Sequence, residues 1–331
     1  MTSKREHQAI QISNYGRPEA LTLRTACLPD LAPGEVRVRT LAAAVNHTDL
    51  KIRAGQWPIR KTEPFPYTPG VEIVGQISEV GVGVSEWFIG ETVITMMQGL
   101  GGVRAQRAGA YAEHVTVSGD ALARLPKDID RMAMAAVGLV GVTAFQGLNK
   151  LGALEGRRVL VTGAAGGVGS AAVSIARSLG ASVVGIVTRP EQAAYVHDLG
   201  ADQVIVSARG TPAALDAESV DGVLDAVGGP LFPACVNALR AGGALSLVGA
   251  VGGGDVQFDA WQLIRPVMLT GYSTEHLSGE DLRRSIDRLS DWLGRGVIKP
   301  PEYQVMGLAE AADAHALLER GGVKGRILLS P

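Results

Sequence analysis

With 331 residues, 46% hydrophobic and 19% charged, the chain can bury an ample core in one or two compact domains, which excludes a disordered or low-complexity polypeptide. A formal charge of -2 and no block of like charge leave no electrostatic footprint for nucleic acid or an anionic membrane surface. No apolar run reads as long enough to span a bilayer, residues 1–7 lack a signal-peptide core, and Cys27 and Cys235 are too few and too far apart for a disulfide framework, so the cytoplasm is the expected compartment.

The first third reads as β-rich. Residues 35–41 alternate polar and apolar side chains, the pattern of a half-buried strand, and 70–81 and 91–96 read similarly between glycines. The segment 100–109 carries Gly101, Gly102, Gly109, Arg104 and Arg107 and is expected to be an exposed, mobile loop. From Asp130 the period changes. Residues 131–137 are alanine-rich and helical in propensity, and 143–151 are expected to form a second helix. Strands then alternate with helices at 159–162, 183–187, 203–206, 222–225, 244–248 and 268–271, the signature of an open, doubly wound parallel sheet. An amphipathic helix at 280–295 follows, with Leu282, Ile286, Leu289 and Leu293 on one stripe. A further helix near 308–320 and a last strand at 325–329 complete the chain.

The most informative segment is Val159-Leu160-Val161-Thr162-Gly163-Ala164-Ala165-Gly166-Gly167-Val168-Gly169, a buried strand, a glycine-rich turn and a helix start. That order suits a dinucleotide pyrophosphate: glycines let the backbone approach, and free helix N-terminal N–H groups receive the charge. Ala165, Gly166, Gly167 and Val168 are therefore the expected phosphate-contacting residues. The strand at 183–187 completes a βαβ unit. No Gly-x-Ser-x-Gly elbow occurs, which disfavours a hydrolase.

Several further segments carry a resemblance along nearly the whole chain. They are Asn46-His47-Thr48-Asp49 with Gly55, Pro66-Tyr67-Thr68-Pro69-Gly70-Val71-Glu72, Gly109-Ala110-Tyr111-Ala112-Glu113, Val140-Gly141-Val142-Thr143-Ala144, Leu199-Gly200-Ala201-Asp202 and Val220-Asp221-Gly222-Val223-Leu224-Asp225-Ala226-Val227-Gly228-Gly229. In order and spacing they resemble the zinc-independent medium-chain dehydrogenases/reductases, in the quinone-oxidoreductase-like branch. The resemblance implies an α/β architecture in three parts. A GroES-like, β-rich catalytic domain spans 1–128, a Rossmann NADP(H)-binding domain spans 129–273, and 274–331 returns to the catalytic domain. Zinc-dependent relatives place cysteine, histidine and cysteine where this chain has Asn46, Val71 and Leu139, which make no catalytic zinc site, so no metal is expected.

Without a metal as Lewis acid, a conjugated acceptor is favoured, because a quinone or α,β-unsaturated carbonyl spreads the incoming charge onto an oxygen that hydrogen-bond donors can stabilise. By resemblance, Asn46 lies near the nicotinamide ribose and the substrate carbonyl, as a donor or as a turn-closing residue. Thr48 matches a proton-relay hydroxyl or a helix-start hydroxyl. Lys51 stands where many quinone reductases carry a tyrosine, as a proton donor or a solvent-facing side chain. Tyr67 is a further pocket candidate, Tyr111 is expected to pack its loop, and Asp49 is expected to tether its loop to Arg53.

The remaining cofactor contacts implied are Thr143, Val227, Gly249, Ala250, Tyr272 and Arg326. At the tip of the second strand no carboxylate waits for ribose hydroxyls. Thr188 and Arg189 instead suit a 2′-phosphate, although Gln192 replaces the lysine that family members often carry. NADPH is the expected cofactor, a small-molecule carbonyl or quinone the expected partner, and a homodimer the expected assembly. Two alternatives stand beside this reading. One is an enoyl-thioester reductase with a basic entrance from Lys61, Arg104 and Arg107, and the other is a non-catalytic NADPH-binding sensor or structural protein.

Overall fold

The structure, a computed structural model, describes residues 5–57, 65–102, 107–211 and 213–331. Lys61 and Arg104 lie outside the described residues. A two-stranded antiparallel ribbon, β1 (Glu6–Gln11) with β2 (Thr22–Cys27), precedes the first large sheet. That sheet contains β3 (Glu35–Ala44), β4 (Glu72–Val80), β5 (Thr92–Met96), β6 (His114–Ser118) and β7 (Ala123–Arg124), with helix α1 (His47–Arg53) following β3. Val36 and Val38 of β3 are fully buried. Arg37, between them, is also buried and spends its guanidinium on Glu79, Thr116 and the Pro29 carbonyl. A buried charge is tolerated there because its donors are paired.

Helix α2 (Arg131–Asn149) starts on Asp130, whose carboxylate accepts from the N–H groups of Met132 and Ala133. The sequence suggested two helices separated after residue 137. The structure has one, bent at Gly138, where φ is -7° and ψ is -112°. Contrary to the expectation for apolar runs, α2 is long and apolar enough by length and composition to cross a bilayer, with 19 residues and a mean hydropathy of 1.4. Yet 78% of that window is buried inside the protein. Most of its apolar surface is met by protein, as for a core helix.

The second sheet is parallel. Its members are β8 (Arg158–Val161), β9 (Ser182–Val187), β10 (Gln203–Val206), β11 (Val220–Asp225), β12 (Leu239–Leu247) and β13 (Met268–Gly271), interleaved with α3 (Gly167–Ser178), α4 (Ala193–Asp198) and α5 (Phe232–Ala238). The spatial order is β10-β9-β8-β11-β12-β13, so the order reverses between β8 and β11, where the carboxyl ends leave a crevice. β12 begins before the expected residue 244, because a register shift lets Leu239 pair with Val220 ahead of the Ala244–Gly222 pair.

Helix α6 (Gly279–Gly294) then lays Leu282, Ile286 and Leu289 against α2, each fully buried and worth roughly 1.5–3 kcal/mol. Phe145 of α2 meets Trp292 edge-on, with ring centroids 5.5 Å apart. Finally β14 (Tyr303–Gly307), α7 (Ala311–Arg320) and β15 (Arg326–Ser330) bring the chain back. β15 pairs antiparallel with β3 through Leu328↔Ala44, completing a seven-stranded sheet.

The segment at 100–109 departs from the expected exposed loop at its described ends. Leu100 is fully buried, and Gly101 and Gly109 press their backbones onto Gly70 and Pro69 so closely that a Cβ would lie 2.5 Å from the Gly70 carbonyl oxygen and 2.2 Å from that of Pro69. Those glycines serve close packing.

Candidate active site

The floor of the site is a network of three buried side chains. Glu72 opens β4, Asn46 sits between β3 and α1, and Arg326 opens β15; their exposures are 1%, 6% and 4%. Glu72 Oε2 accepts from Arg326 Nη2 at 2.6 Å and from Asn46 Nδ2 at 3.0 Å, while Arg326 Nη1 donates to Asn46 Oδ1 at 2.9 Å. Glu72 Oε1 accepts from the Leu139 N–H at 2.5 Å. The Gly138 bend frees that N–H, and the carboxylate caps the renewed helix start, a favourable place for negative charge. Gly138 is required, since a Cβ there would lie 1.9 Å from Glu72 Oε1.

This geometry changes the part assigned to Asn46. Its second amide hydrogen goes to the Ala44 carbonyl at 3.1 Å, so both of its N–H donors and its oxygen are engaged. It locks the floor and has no free hydrogen to offer a substrate carbonyl. Val71 and Leu139, at the other two zinc-ligand positions, carry no ligand atom. Among the described residues no group of three or more His, Cys, Asp and Glu is placed to hold a metal. Arg326 keeps one donor in reserve: its Nε is buried with no partner.

Asp49 does not bind Arg53. Its oxygens accept from the N–H groups of Asn46 at 2.9 Å and Val71 at 3.0 Å, tying α1 to the start of β4. Burial pushes its carboxyl up to about 7, against the pull of those two backbone donors. Arg53 instead meets Glu319 of α7 at 2.5 Å. The two are one helical turn apart, but the Asp49 oxygens are taken by backbone N–H groups and Arg53 reaches out to α7. Tyr111, fully buried, holds His315 Nε2 through its hydroxyl at 3.0 Å, and burial pushes His315 down to about 3.

Above the floor lies a cleft of about 270 Å³. It brings together Asn46, Thr48, Lys51 and Arg326 from the α1 and β15 side with Thr143 of α2 and with Gly167, Val168, Gly249, Ala250 and Tyr272 from the parallel-sheet side. Thr143 donates its hydroxyl to the Leu139 carbonyl at 2.7 Å, leaving the oxygen to accept. Burial and the Asp281 charge push the Tyr272 phenol up to about 12, so it keeps its proton at neutral pH.

Tyr67 is not in this cleft. Its backbone pairs with Ile12 and its ring packs near Phe65, because the chain at 67 is pinned beside the β1 ribbon. Trp57 and Met97 line the wall instead, and neither was singled out by sequence reasoning.

At the switch point the glycine turn is tight. A Cβ on Gly169 would lie 2.1 Å from the Gly163 carbonyl oxygen, and α3 starts on Gly166 with no side-chain cap, so its first N–H groups are left for a ligand. Ala165 accepts from Gly325 at 3.0 Å, and Gly167 packs on the Arg326 stem, docking the turn to β15. Val227 touches the turn from the β11 side. Asp225, missed in the sequence, holds this edge together: its Oδ1 accepts from Thr162 Oγ1 at 2.6 Å and from the N–H groups of Val227 and Gly228. An acid ending an apolar strand beside Thr162 was the available signal. Thr188 and Arg189 stand further out, just past the end of β9. The orphan donors, the cradle at Gly163–Gly169 and the free Arg326 Nε fit a dinucleotide.

The comparisons with known proteins agree with this geometry. Residues 32–127 match the alcohol dehydrogenase GroES-like domain, and residues 199–329 match the zinc-binding dehydrogenase family. The chain is 30% identical over 329 residues to an acrylyl-CoA reductase of Ruegeria pomeroyi, covering 95% of each. It is 28% identical to a quinone oxidoreductase of Lama guanicoe, covering 99% of this chain and 98% of that one. The structure superposes on the Escherichia coli quinone oxidoreductase complexed with NADPH with a TM-score of 0.85 at 27% identity, covering 98% and 100% of the two chains. Fold, site and relatives together place the chain in the medium-chain dehydrogenase/reductase family, in its quinone-oxidoreductase-like branch.

Proposed function

We propose that this protein is an NADPH-dependent reductase that delivers hydride to a quinone or an α,β-unsaturated carbonyl without a metal. The observation that carries the reading is the chemistry at the three zinc-ligand positions: Val71 and Leu139 carry no ligand atom, and Asn46 spends its amide on Ala44, Glu72 and Arg326, so the acceptor must delocalise its own charge. When bound, the nicotinamide supplies the hydride. The protein's residues do the rest. The uncapped N-terminus of α3 binds pyrophosphate, Thr143 and Val168 shape the cleft wall, and Gly249 with Ala250 let the cofactor cross the sheet edge. The Tyr272 hydroxyl, held in its protonated form, and the Lys51 ammonium are the groups placed to donate toward a developing oxyanion.

A second acceptor class has one observation in its favour. A cavity of about 530 Å³ adjoins the cleft at His47 and Lys51; Lys51 and Arg17 are cations suited to the phosphates of an enoyl thioester, while burial pushes His47 down to about 4 and leaves it neutral. The entrance expected from Arg107 gains no such support, because Arg107 lies 3.7 Å from Glu35.

NADPH oxidation against quinones, enones, enoyl thioesters and simple ketones tests both readings. Turnover of the conjugated acceptors, unchanged by a chelator, is expected. Activity confined to simple ketones, or dependent on added zinc, would overturn the proposal. Inertness toward every acceptor with micromolar NADPH binding would point to a sensor.

The proposal extends to assembly. β13 is an edge strand of the parallel sheet; its Met268 is 50% exposed, and Trp261 and Ile264 just before it are 74% and 69% exposed. An open, apolar edge invites pairing with a second copy. Light scattering is expected to give twice the chain mass, and Met268→Lys to shift it toward the monomer. A monomeric wild type at micromolar concentration would refute the pairing.

A further inference from the structure

Arg189 has a counterpart that the sequence did not single out. Arg189 follows β9 and Arg209 follows β10, neighbouring parallel strands whose last paired residues are Val187 and Val206. Both arginines therefore stand just beyond carboxyl ends, where open α/β sheets take their ligands.

Beyond α7 the chain passes through Gly321 and Gly322, with φ of 72° and 86°. The two guanidiniums rest on this pair. A Cβ on Gly322 would lie 2.5 Å from Arg189 Nη1 and 2.7 Å from its Cζ, and a Cβ on Gly321 would lie 3.5 Å from Arg209 Nη1. Only glycine at 322 leaves Arg189 its seat. Neither arginine forms an ion pair among the described residues. Two unneutralised cations brought beside one glycine turn repel each other until an anion sits between them.

Thr188 and the Gln192 oxygen at this strand tip are already used. Gln192, standing where the resembled family often has lysine, is 5% exposed and folds back. Its Oε1 accepts from the Thr188 N–H at 3.2 Å, the Thr188 hydroxyl at 3.3 Å and the Arg189 N–H at 3.2 Å. The Thr188 hydroxyl thus spends its hydrogen on Gln192 and does not offer it to a ligand.

We propose that Arg189 and Arg209 clamp the adenosine 2′-phosphate of the cofactor between two strand tips, so that Arg209 is a specificity-determining residue for NADPH over NADH. The clamp rests on the NADPH reading above. Each guanidinium donates charge-assisted hydrogen bonds to the dianion, and a planar donor fork suits phosphate oxygens better than an ammonium does.

The test needs no turnover. Calorimetric titration of the full chain with adenosine 2′,5′-bisphosphate and with AMP isolates the 2′-phosphate contribution. Wild type is expected to bind the bisphosphate more tightly than AMP. Arg209→Ala and Arg189→Ala should each weaken the bisphosphate roughly 10- to 100-fold and leave AMP unchanged, with Arg209→Lys between. Arg209 is exposed, and thermal melting checks that its variants stay folded. If Arg189→Ala weakens the bisphosphate and Arg209→Ala does not, the clamp is wrong and the NADPH reading stands. Equal weakening of AMP and bisphosphate by Arg209→Ala also overturns the clamp, since that is general attraction. A wild type without preference removes the NADPH reading and the clamp together.

Discussion

Glu72→Ala is expected to destabilise the protein by about 3–5 kcal/mol, the range for removing one partner of a buried ion pair. The loss is large because three donors converge on one carboxylate. Arg326 Nη2, Asn46 Nδ2 and the Leu139 N–H would be left together in a site that is at most 6% exposed. The guanidinium would remain charged and enclosed, which costs more than the missing hydrogen bonds. Removing both charges tells the two contributions apart. Glu72→Gln combined with Arg326→Met is expected to recover part of the loss, since replacing a buried pair by neutral groups is far less costly than orphaning one member. Urea unfolding of the two variants and wild type measures this. A midpoint for Glu72→Ala within error of wild type would show that the network carries no stability.

Gly169→Ala is the second large effect. The added Cβ would meet only backbone, 2.1 Å from the Gly163 oxygen, 2.6 Å from its carbon and 2.7 Å from Ala164 Cα, so no side chain can swing aside. The turn must open, at a cost of about 1–3 kcal/mol for overpacking. The free N–H groups at the start of α3 would then no longer point at one place. Dinucleotide affinity is expected to fall on the order of 100-fold. Gly166→Ala is the control, since its Cβ would lie 3.3 Å from the Gly163 oxygen and its φ is -82°. That variant should lose far less stability than Gly169→Ala, since its one tight contact needs a shift of only a few tenths of an ångström. Equal NADPH affinity for Gly169→Ala and wild type, by fluorescence titration, would contradict the placement of the cofactor on this turn.

Much of the architecture was legible along the chain, for a physical reason. Strands of a parallel sheet are short apolar runs, continuous where both faces are buried as in β8, β9 and β11, and β8 to β11 with β13 stand close to where those runs fall. The glycine turn could be read because its function is a backbone function, which local sequence determines. Less legible were β1, β2, β6 and β7, whose partners are remote in sequence, and the continuity of α2 through Gly138. A glycine there reads as a helix break, and only Glu72, brought from β4, shows why the helix bends and continues.

The site divides in the same way. The sequence by itself determined that cysteine and histidine ligands are missing at 46, 71 and 139, and that an arginine rather than an acid follows β9. Tertiary structure alone decided what surrounds Asn46: a carboxylate from β4 and a guanidinium from the last strand. It alone set Tyr67 outside the cleft and Trp57 inside it, and it alone brought Arg209 beside Arg189. Residue type reports what a group can do. Whether its donors are free or spent depends on partners from distant segments, and those are chosen only when the two sheets close around the cleft.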